Sequence, residues 1–453
     1  MRRAIPIVCF AATLAGCMVG PNYKRPAVVP PPAFRAGEQQ PTEVSLGDAR
    51  WFDIFQDDVL RDLIRDALAA NYDIRIAAQR VLGAEGQVSA TRSAMFPEIG
   101  AQAASTGYGI QSPVQRSHYG FYGATWEPDL FGKMRRATEA ARADLLALDE
   151  NRRGIMQALI AQVSVAYFDL RAYDAELEYV LESIAMRQQS VRLVAAREEG
   201  GVSSMLEVDQ AKTLVASAQA QQALLEKARE QTENLINFLL GKEPGPVRRG
   251  HALIAQQQPP QVPAGLPSAL LERRPDLREA EQHLVAANAR VGVAKAAFYP
   301  SISLTAGGGV QSTDLLSLVN RSGGAWTRGA VLDIPIFDVG RRIGNYKTAQ
   351  AQREEMVLTY RKAISGAFQD VSNALVGYHK NREYSASQTL LAQTLREQSS
   401  LANVRYVGGV SSYLEVLDTE RQRLTAEQQL AQAQRDVLTS LVQLYKALGG
   451  GWQ

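Results

Sequence analysis

The sequence predicts a mainly α-helical protein that carries two pairs of short β-strands and is built twice over. The first observation behind this is an internal repeat. Gly200-Gly201-Val202-Ser203-Ser204-Met205-Leu206-Glu207-Val208 returns as Gly408-Gly409-Val410-Ser411-Ser412-Tyr413-Leu414-Glu415-Val416. Phe96-Pro97 returns as Phe298-Tyr299-Pro300, and Asp73, Arg75, Ala77 and Gln79 return as Asp276, Arg278, Ala280 and Gln282. The second is the absence of proline from Asp129 to Glu243 and from Ile336 to the C-terminus, in spans rich in the strong helix formers Ala, Leu, Gln, Glu and Arg. The third is a short, glycine-rich alternating stretch ahead of each span. A duplicated unit of this kind suits a symmetric, elongated assembly better than a pocket enzyme.

The elements follow in order. Arg2 and Arg3 precede an apolar run from Ala4 to Leu14, too short to cross a bilayer as a helix. Leu14-Ala15-Gly16-Cys17 closes it with small residues before a cysteine. This is the form of a bacterial export signal over residues 1–16, and it resembles a lipoprotein cleavage signal. That resemblance implies that Cys17 becomes the first mature residue and carries a diacylglycerol and an N-acyl chain. Met18 is not aspartate, which favours delivery to the outer membrane. Loss of the signal removes Cys9, so no thiol pair remains for a disulfide or a thiolate metal site.

Residues 17–50 read as an extended, proline-rich arm, ordered along the protein body rather than a disordered leader. Residues 51–244 form the first copy. Asp57 or Asp58 caps a helix whose apolar face is Leu60, Leu63, Ile64, Ala67 and Leu68. Asn71 or Asp73 opens a second helix that Phe96-Pro97 ends. Strands are expected over Glu98–Ile110 and Tyr119–Glu127. One helix of roughly 60 residues, about 90 Å at 1.5 Å per residue, fits 134–198. Gly200-Gly201 then reverses the chain, and Ser203 or Ser204 caps a shorter antiparallel helix. Residues 245–267 are a linker rich in proline and glutamine. The second copy, 268–453, repeats the plan with strands at Ser301–Gln311 and Ala325–Ile334 and a long helix over 341–405. Gly154 and Gly366 are weak points inside the long helices, not stops.

Four strands cannot close a barrel around a pore, and lipid forbids open strand edges. Membrane strands would therefore have to come from several chains, and three chains would supply twelve, within the range of known barrels. Two separate soluble hairpins packed on the helices is the other arrangement the strands allow.

Composition excludes several functions. Forty-nine basic against 47 acidic residues leave a net charge of +2, without the concentrated positive charge that nucleic acid requires. His118, His251, His283 and His379 are widely separated and match no metal motif. No nucleophile elbow or phosphate-cradling loop is present, so neither catalysis, a metal site nor a cofactor is expected. A lipidated periplasmic adaptor would show small β-rich modules around one hairpin, not a full-length duplication.

Over essentially its whole length the chain resembles the outer membrane efflux proteins, the TolC-like channels, and in particular their lipidated OprM/NodT-like branch. The likeness is carried by Cys17-Met18-Val19-Gly20-Pro21-Asn22-Tyr23-Lys24-Arg25-Pro26 and by Trp51-Phe52 through Leu60. Trp126-Glu127-Pro128-Asp129-Leu130-Phe131-Gly132 and Arg273-Arg274-Pro275-Asp276-Leu277 extend it. Pro335-Ile336-Phe337-Asp338-Val339-Gly340-Arg341-Arg342 and Tyr445-Lys446-Ala447-Leu448-Gly449-Gly450-Gly451-Trp452 complete it. The resemblance implies a homotrimer with a shared twelve-stranded outer-membrane barrel and a long periplasmic coiled-coil tunnel. It further implies a passive exit duct joined by a periplasmic adaptor to a proton-driven inner-membrane transporter. Drug export is the expected use; protein secretion and metal-ion efflux are the alternatives.

Within that frame, Glu415 and Asp418 share a face of the helix that follows the second reversal, where the family's closed aperture lies. Three copies would make carboxylate rings that favour cations and repel one another. Leu414 adds an apolar constriction, and Arg421, three residues past Asp418, is placed to hold it. Copy one keeps Glu207 but has Gln210 and Thr213 in place of Asp418 and Arg421. The turns around Gly200, Gly201, Val202 and Ser203 and around Gly408, Gly409, Val410 and Ser411 are the expected adaptor contacts.

Overall fold

The computed structural model describes residues 18–35, 45–108, 115–256, 263–315 and 324–451. Cys17 and the signal segment lie outside the described residues. The chain divides into two compact units, one of Met1–Val28, Ala78–Glu150 and Arg278–Ala363, the other of Val29–Ala77, Asn151–Leu277 and Ile364–Gln453. Each unit thus draws on both sequence copies. Helices run as α1 (Asp58–Ala70), α2 (Tyr72–Ser93), α3 (Lys133–Glu199), α4 (Met205–Leu239), α5 (Pro275–Ala296), α6 (Arg341–Val407) and α7 (Tyr413–Ala447). The strands are β1 (Glu98–Tyr108), β2 (Gln115–Trp126), β3 (Ser301–Ser312) and β4 (Gly324–Asp333). α3 and α6 are both 67 residues and α4 and α7 both 35, so the duplication is kept residue for residue in the helical hairpins. Neither Gly154 nor Gly366 interrupts its helix.

The first unit holds a four-stranded antiparallel sheet in the order β1-β2-β3-β4. Glu98 pairs with Thr125 and Tyr108 with Gln115 in the first hairpin, and Ser301 with Asp333 in the second. The hairpins are not separate. β2 pairs with β3 from Trp126–Leu304 to His118–Ser312, which joins the two copies into one sheet and removes the alternative of independent hairpins. β2 begins four residues ahead of the apolar signal, because ladder hydrogen bonds carry the hairpin through the polar Gln115, Arg116 and Ser117. β1 and β4 are the edges, and β4 is exposed along its whole length, with Trp326, Val331 and Leu332 in the open.

The arm is ordered against this unit. Arg136, 1% exposed, donates to the carbonyls of Val19 and Gly20 at 3.3 and 3.4 Å, to Asn22 Oδ1 at 2.7 Å and to Glu139 at 2.7 Å. Glu281 accepts from Tyr23 at 3.0 Å and from Arg25 Nε at 2.7 Å. Gly20 has φ +100°, and a Cβ there would meet the Gly292 backbone at 2.5 Å, so glycine is needed for this close approach. The proline-rich segment gains in this way the polar partners that a disordered leader would lack.

The second unit is centred on one apolar core that includes Leu60, Leu63, Ile64 and Ala67 of α1, Tyr167 and Leu170 of α3, and Leu441, Leu444 and Tyr445 of α7. Leu68 is only partly buried. Asp57 caps α1 by accepting from the amides of Val59 and Leu60 at 2.9 and 3.3 Å. Its other oxygen accepts from Tyr167 Oη, His251 N and Gln256 Nε2 at 2.7 to 2.8 Å. Burial pushes this carboxyl up, yet the hydrogen bonds outweigh it and hold the group below its usual range.

Candidate functional site

The two helix reversals are built alike. Gly201 N donates to Glu198 O and Val202 N to Arg197 O, and Gly409 N donates to Tyr406 O and Val410 N to Arg405 O. Each is a 5→2 and 6→1 pair closing a helix on a left-handed residue. Gly201 and Gly409 supply that residue, with φ +73° and +76°. Gly200 and Gly408 lie outside that region, and an added Cβ would meet only carbonyl oxygens at 3.4–3.6 Å. Ser204 and Ser412 occupy the N-cap positions, but neither side chain makes a capping hydrogen bond. Ser203 Oγ instead donates to Glu207 at 2.6 Å. Ser411 Oγ is buried without a hydrogen-bond partner among the described residues.

Beneath the turns, Val194 of α3, Val208 and Ala211 of α4, Ala402 and Tyr406 of α6, and Tyr413 and Val416 of α7 form one buried cluster. The Tyr406 and Tyr413 rings lie 5.2 Å apart. Burial first, and the neighbouring Tyr406 next, push the Tyr413 hydroxyl up to about 12. Outside the cluster, Val202, Val410 and Leu414 are about two-thirds exposed.

The charged residues divide in a way the sequence spacing does not reveal. Asp418 accepts from Arg421 at 3.0 Å, the expected pair, and from Gln422 at 2.6 Å. Both partners are on α7 itself, so neither bond ties α7 to another helix, and rotation of α7 would leave both intact. Glu415 pairs with Arg405 of α6 at 3.3 Å, within one hairpin. A polar link between the hairpins at their turn ends is made by Arg197 of α3. Its guanidinium sits 4.6 Å from the centre of the Tyr406 ring and donates to the Tyr406 carbonyl at 3.2 Å. Sequence reasoning missed Arg197 and Tyr406 as a pair. The signal was weak: an arginine and a tyrosine in equivalent last helical turns, 209 residues apart.

Further along the same helices is a buried ionic layer. Arg423, 5% exposed, lies 3.4 Å from Glu420, 3.6 Å from Glu182 and 3.8 Å from Glu427, which is 1% exposed. Arg396 also reaches Glu427, at 2.7 Å, and Ser399 donates to Glu420. Burial holds the Arg187 guanidinium below its usual range.

No helix among the described residues is long and apolar enough to cross a membrane. The sheet, with its exposed aromatic and aliphatic residues and two unpaired edges, is the element suited to that role, and the helical hairpins end in tight reversals. This combination defines the class as a channel protein with a β-membrane element. The sequence profile of the outer membrane efflux proteins matches residues 63–242 and 266–450. The solvent efflux pump outer membrane protein SrpC of Pseudomonas putida is 36% identical, over 97% of this chain and 96% of its own. The cation efflux system protein CusC of Escherichia coli O6:H1 is 34% identical, over 98% of both. The open state of the MtrE outer membrane channel of Neisseria gonorrhoeae has a TM-score of 0.87 at 32% identity, over 96% of this chain and 99% of that one. The chain belongs to the outer membrane efflux protein family. It is an outer membrane component of a tripartite efflux pump, with its helices extending into the periplasm. Proteins of this family are trimeric transport channels that work with an adaptor and an inner-membrane transporter.

Proposed function

We propose that this chain forms a homotrimeric passive duct, opened and closed at the start of α7, that releases drugs or other small toxic compounds and catalyses no reaction. The observation that carries this reading is the acidic pair Glu415 and Asp418 immediately after the second reversal, both about half-exposed, where copy one has Glu207 and Gln210. Three copies around an axis give two carboxylate rings with Leu414 one residue away. The two edge strands fit the same stoichiometry, because pairing β1 of one chain with β4 of the next leaves no unpaired edge in twelve strands. Exposed Val202 and Val410 at the turn ends suit contact with a periplasmic adaptor, together with Gly200, Gly201, Ser203, Gly408, Gly409 and Ser411. The adaptor couples the duct to a proton-driven inner-membrane transporter. Lipid on Cys17 anchors the arm that Arg136 and Glu281 hold.

A relative named for solvent efflux and one named for cation efflux are almost equally similar, so cargo choice rests with the transporter. The test is single-channel recording of the reconstituted trimer. The unmodified trimer shows low conductance with a preference for cations, and Asp418→Ala lowers that preference. High native conductance and unchanged ion preference in the variant would move the gate away from Asp418. Trimers that insert, keep their fold and pass no current would count against the duct.

A further inference from the structure

A groove in the first unit has no part in the duct or its gate. It has a volume of about 570 Å³, within the usual range of ligand pockets. Arg135, Thr138, Arg142 and Leu146 of α3 line it on successive turns of one face, opposite Val285 of α5 and beside Met18 of the arm. Ala143 and Thr138 form a buried floor, and Leu146 is half-exposed. Two of its charged residues are already neutralised: Arg135 by Asp129 at 3.2 Å and Glu139 by Arg136 at 2.7 Å. Arg92 and Arg142, both exposed, have no ion pair among the described residues. The groove therefore offers an apolar wall with two uncompensated guanidinium groups at its rim.

Its position relative to the sheet narrows the occupant. Met95, which lines the groove, accepts a hydrogen bond at its carbonyl from the Trp126 indole at 3.0 Å. Trp126 ends β2, and its neighbour Thr125 pairs with Glu98 at the start of β1. The groove thus begins within about one helical turn of the strand ends that face the helices. Since the strands are the membrane element, this depth is that of lipid headgroups, where tryptophan also concentrates.

We propose that the groove binds an anionic glycerophospholipid of the leaflet facing the periplasm. The phosphate lies between Arg92 and Arg142, and the upper part of one acyl chain lies along Met18, Leu146 and Val285. An acidic peptide would answer the charges but not the apolar wall at membrane depth. A neutral lipid would answer the wall and leave both guanidinium groups without an anion.

Native mass spectrometry of the full-length trimer, released from nanodiscs of equal phosphatidylglycerol and phosphatidylcholine, tests this. The unmodified protein retains phosphatidylglycerol in preference. Arg92→Gln with Arg142→Gln lowers that preference about 25-fold, from roughly a fivefold contribution per arginine near a lipid surface. Val285→Trp, which fills the groove without changing charge, lowers retention of both lipids. Trimer mass and thermal midpoint report whether each variant is folded. Equal retention of the two lipids by the unmodified protein overturns the proposal and needs no variant. Unchanged phosphatidylglycerol retention in a folded double variant overturns it as well.

Discussion

Replacing Arg197 by alanine weakens the hold of the two helical hairpins of one chain on each other at their turn ends. Arg197 makes two contacts to α6, a cation–π contact at 4.6 Å and a hydrogen bond to the Tyr406 carbonyl at 3.2 Å. The first contributes about 1 kcal/mol at a half-buried site and the second about 1 kcal/mol net. Together they favour the packed arrangement by about 2 kcal/mol per chain, or about 30-fold in its equilibrium with a separated one. The α7 contacts of Asp418 stay on their own helix, so Asp418→Ala removes charge from the ring but leaves the hairpins joined. The assay is open probability in planar bilayers, measured for Arg197→Ala, Arg197→Lys and Asp418→Ala in parallel. Arg197→Ala raises open probability about 30-fold or more, and Arg197→Lys, which keeps the cation over the ring, recovers part of the difference. Asp418→Ala changes ion preference more than open probability. If Arg197→Ala leaves open probability unchanged in folded trimers while Asp418→Ala raises it, the hairpin link is not what holds the duct shut.

Three further outcomes follow from the second unit. Arg423→Ala leaves Glu420 and Glu427 in a buried layer without their shared cation and lowers stability by about 3 kcal/mol, read from urea unfolding; Arg396 limits the loss by keeping its hold on Glu427. Gly201→Ala and Gly409→Ala each cost about 1–2 kcal/mol because the left-handed backbone is retained, while Gly200→Ala and Gly408→Ala cost less than about 0.5 kcal/mol by the same measurement. Asp57 has a folded pKa below its ordinary 3.8, so the stability it contributes is complete above that value and is lost as pH falls through the lower folded one. Asp57→Asn lowers the thermal midpoint at pH 7 and flattens its decline in this acid range.

Much of the fold was legible in the chain because its governing contacts are local. The apolar spacing from Leu60 to Ala67 and the cap at Asp57 describe α1 as it is found. The proline-free spans gave both long helices to within about two residues, since helix hydrogen bonds reach only to the next turn. The glycine turns were visible for the same reason, though not which glycine of each pair carries the positive φ. Asp418 and Arg421 could be paired because they are neighbours on one helix face.

What the sequence by itself determined, then, was the set of elements and their duplication. Only the tertiary structure decided how the copies meet. The β2–β3 ladder joins residues almost 200 positions apart, and nothing in the alternation of either hairpin selects that edge over solvent. Arg197 finds Tyr406 because two 67-residue helices bring their last turns together, and Arg423 finds Glu182 because α7 packs beside the interior of α3. Charge and aromatic character are written at each position, but a partner at long range is set by packing. A hydrogen bond or ion pair gains its energy only once the helices that carry it have been buried side by side.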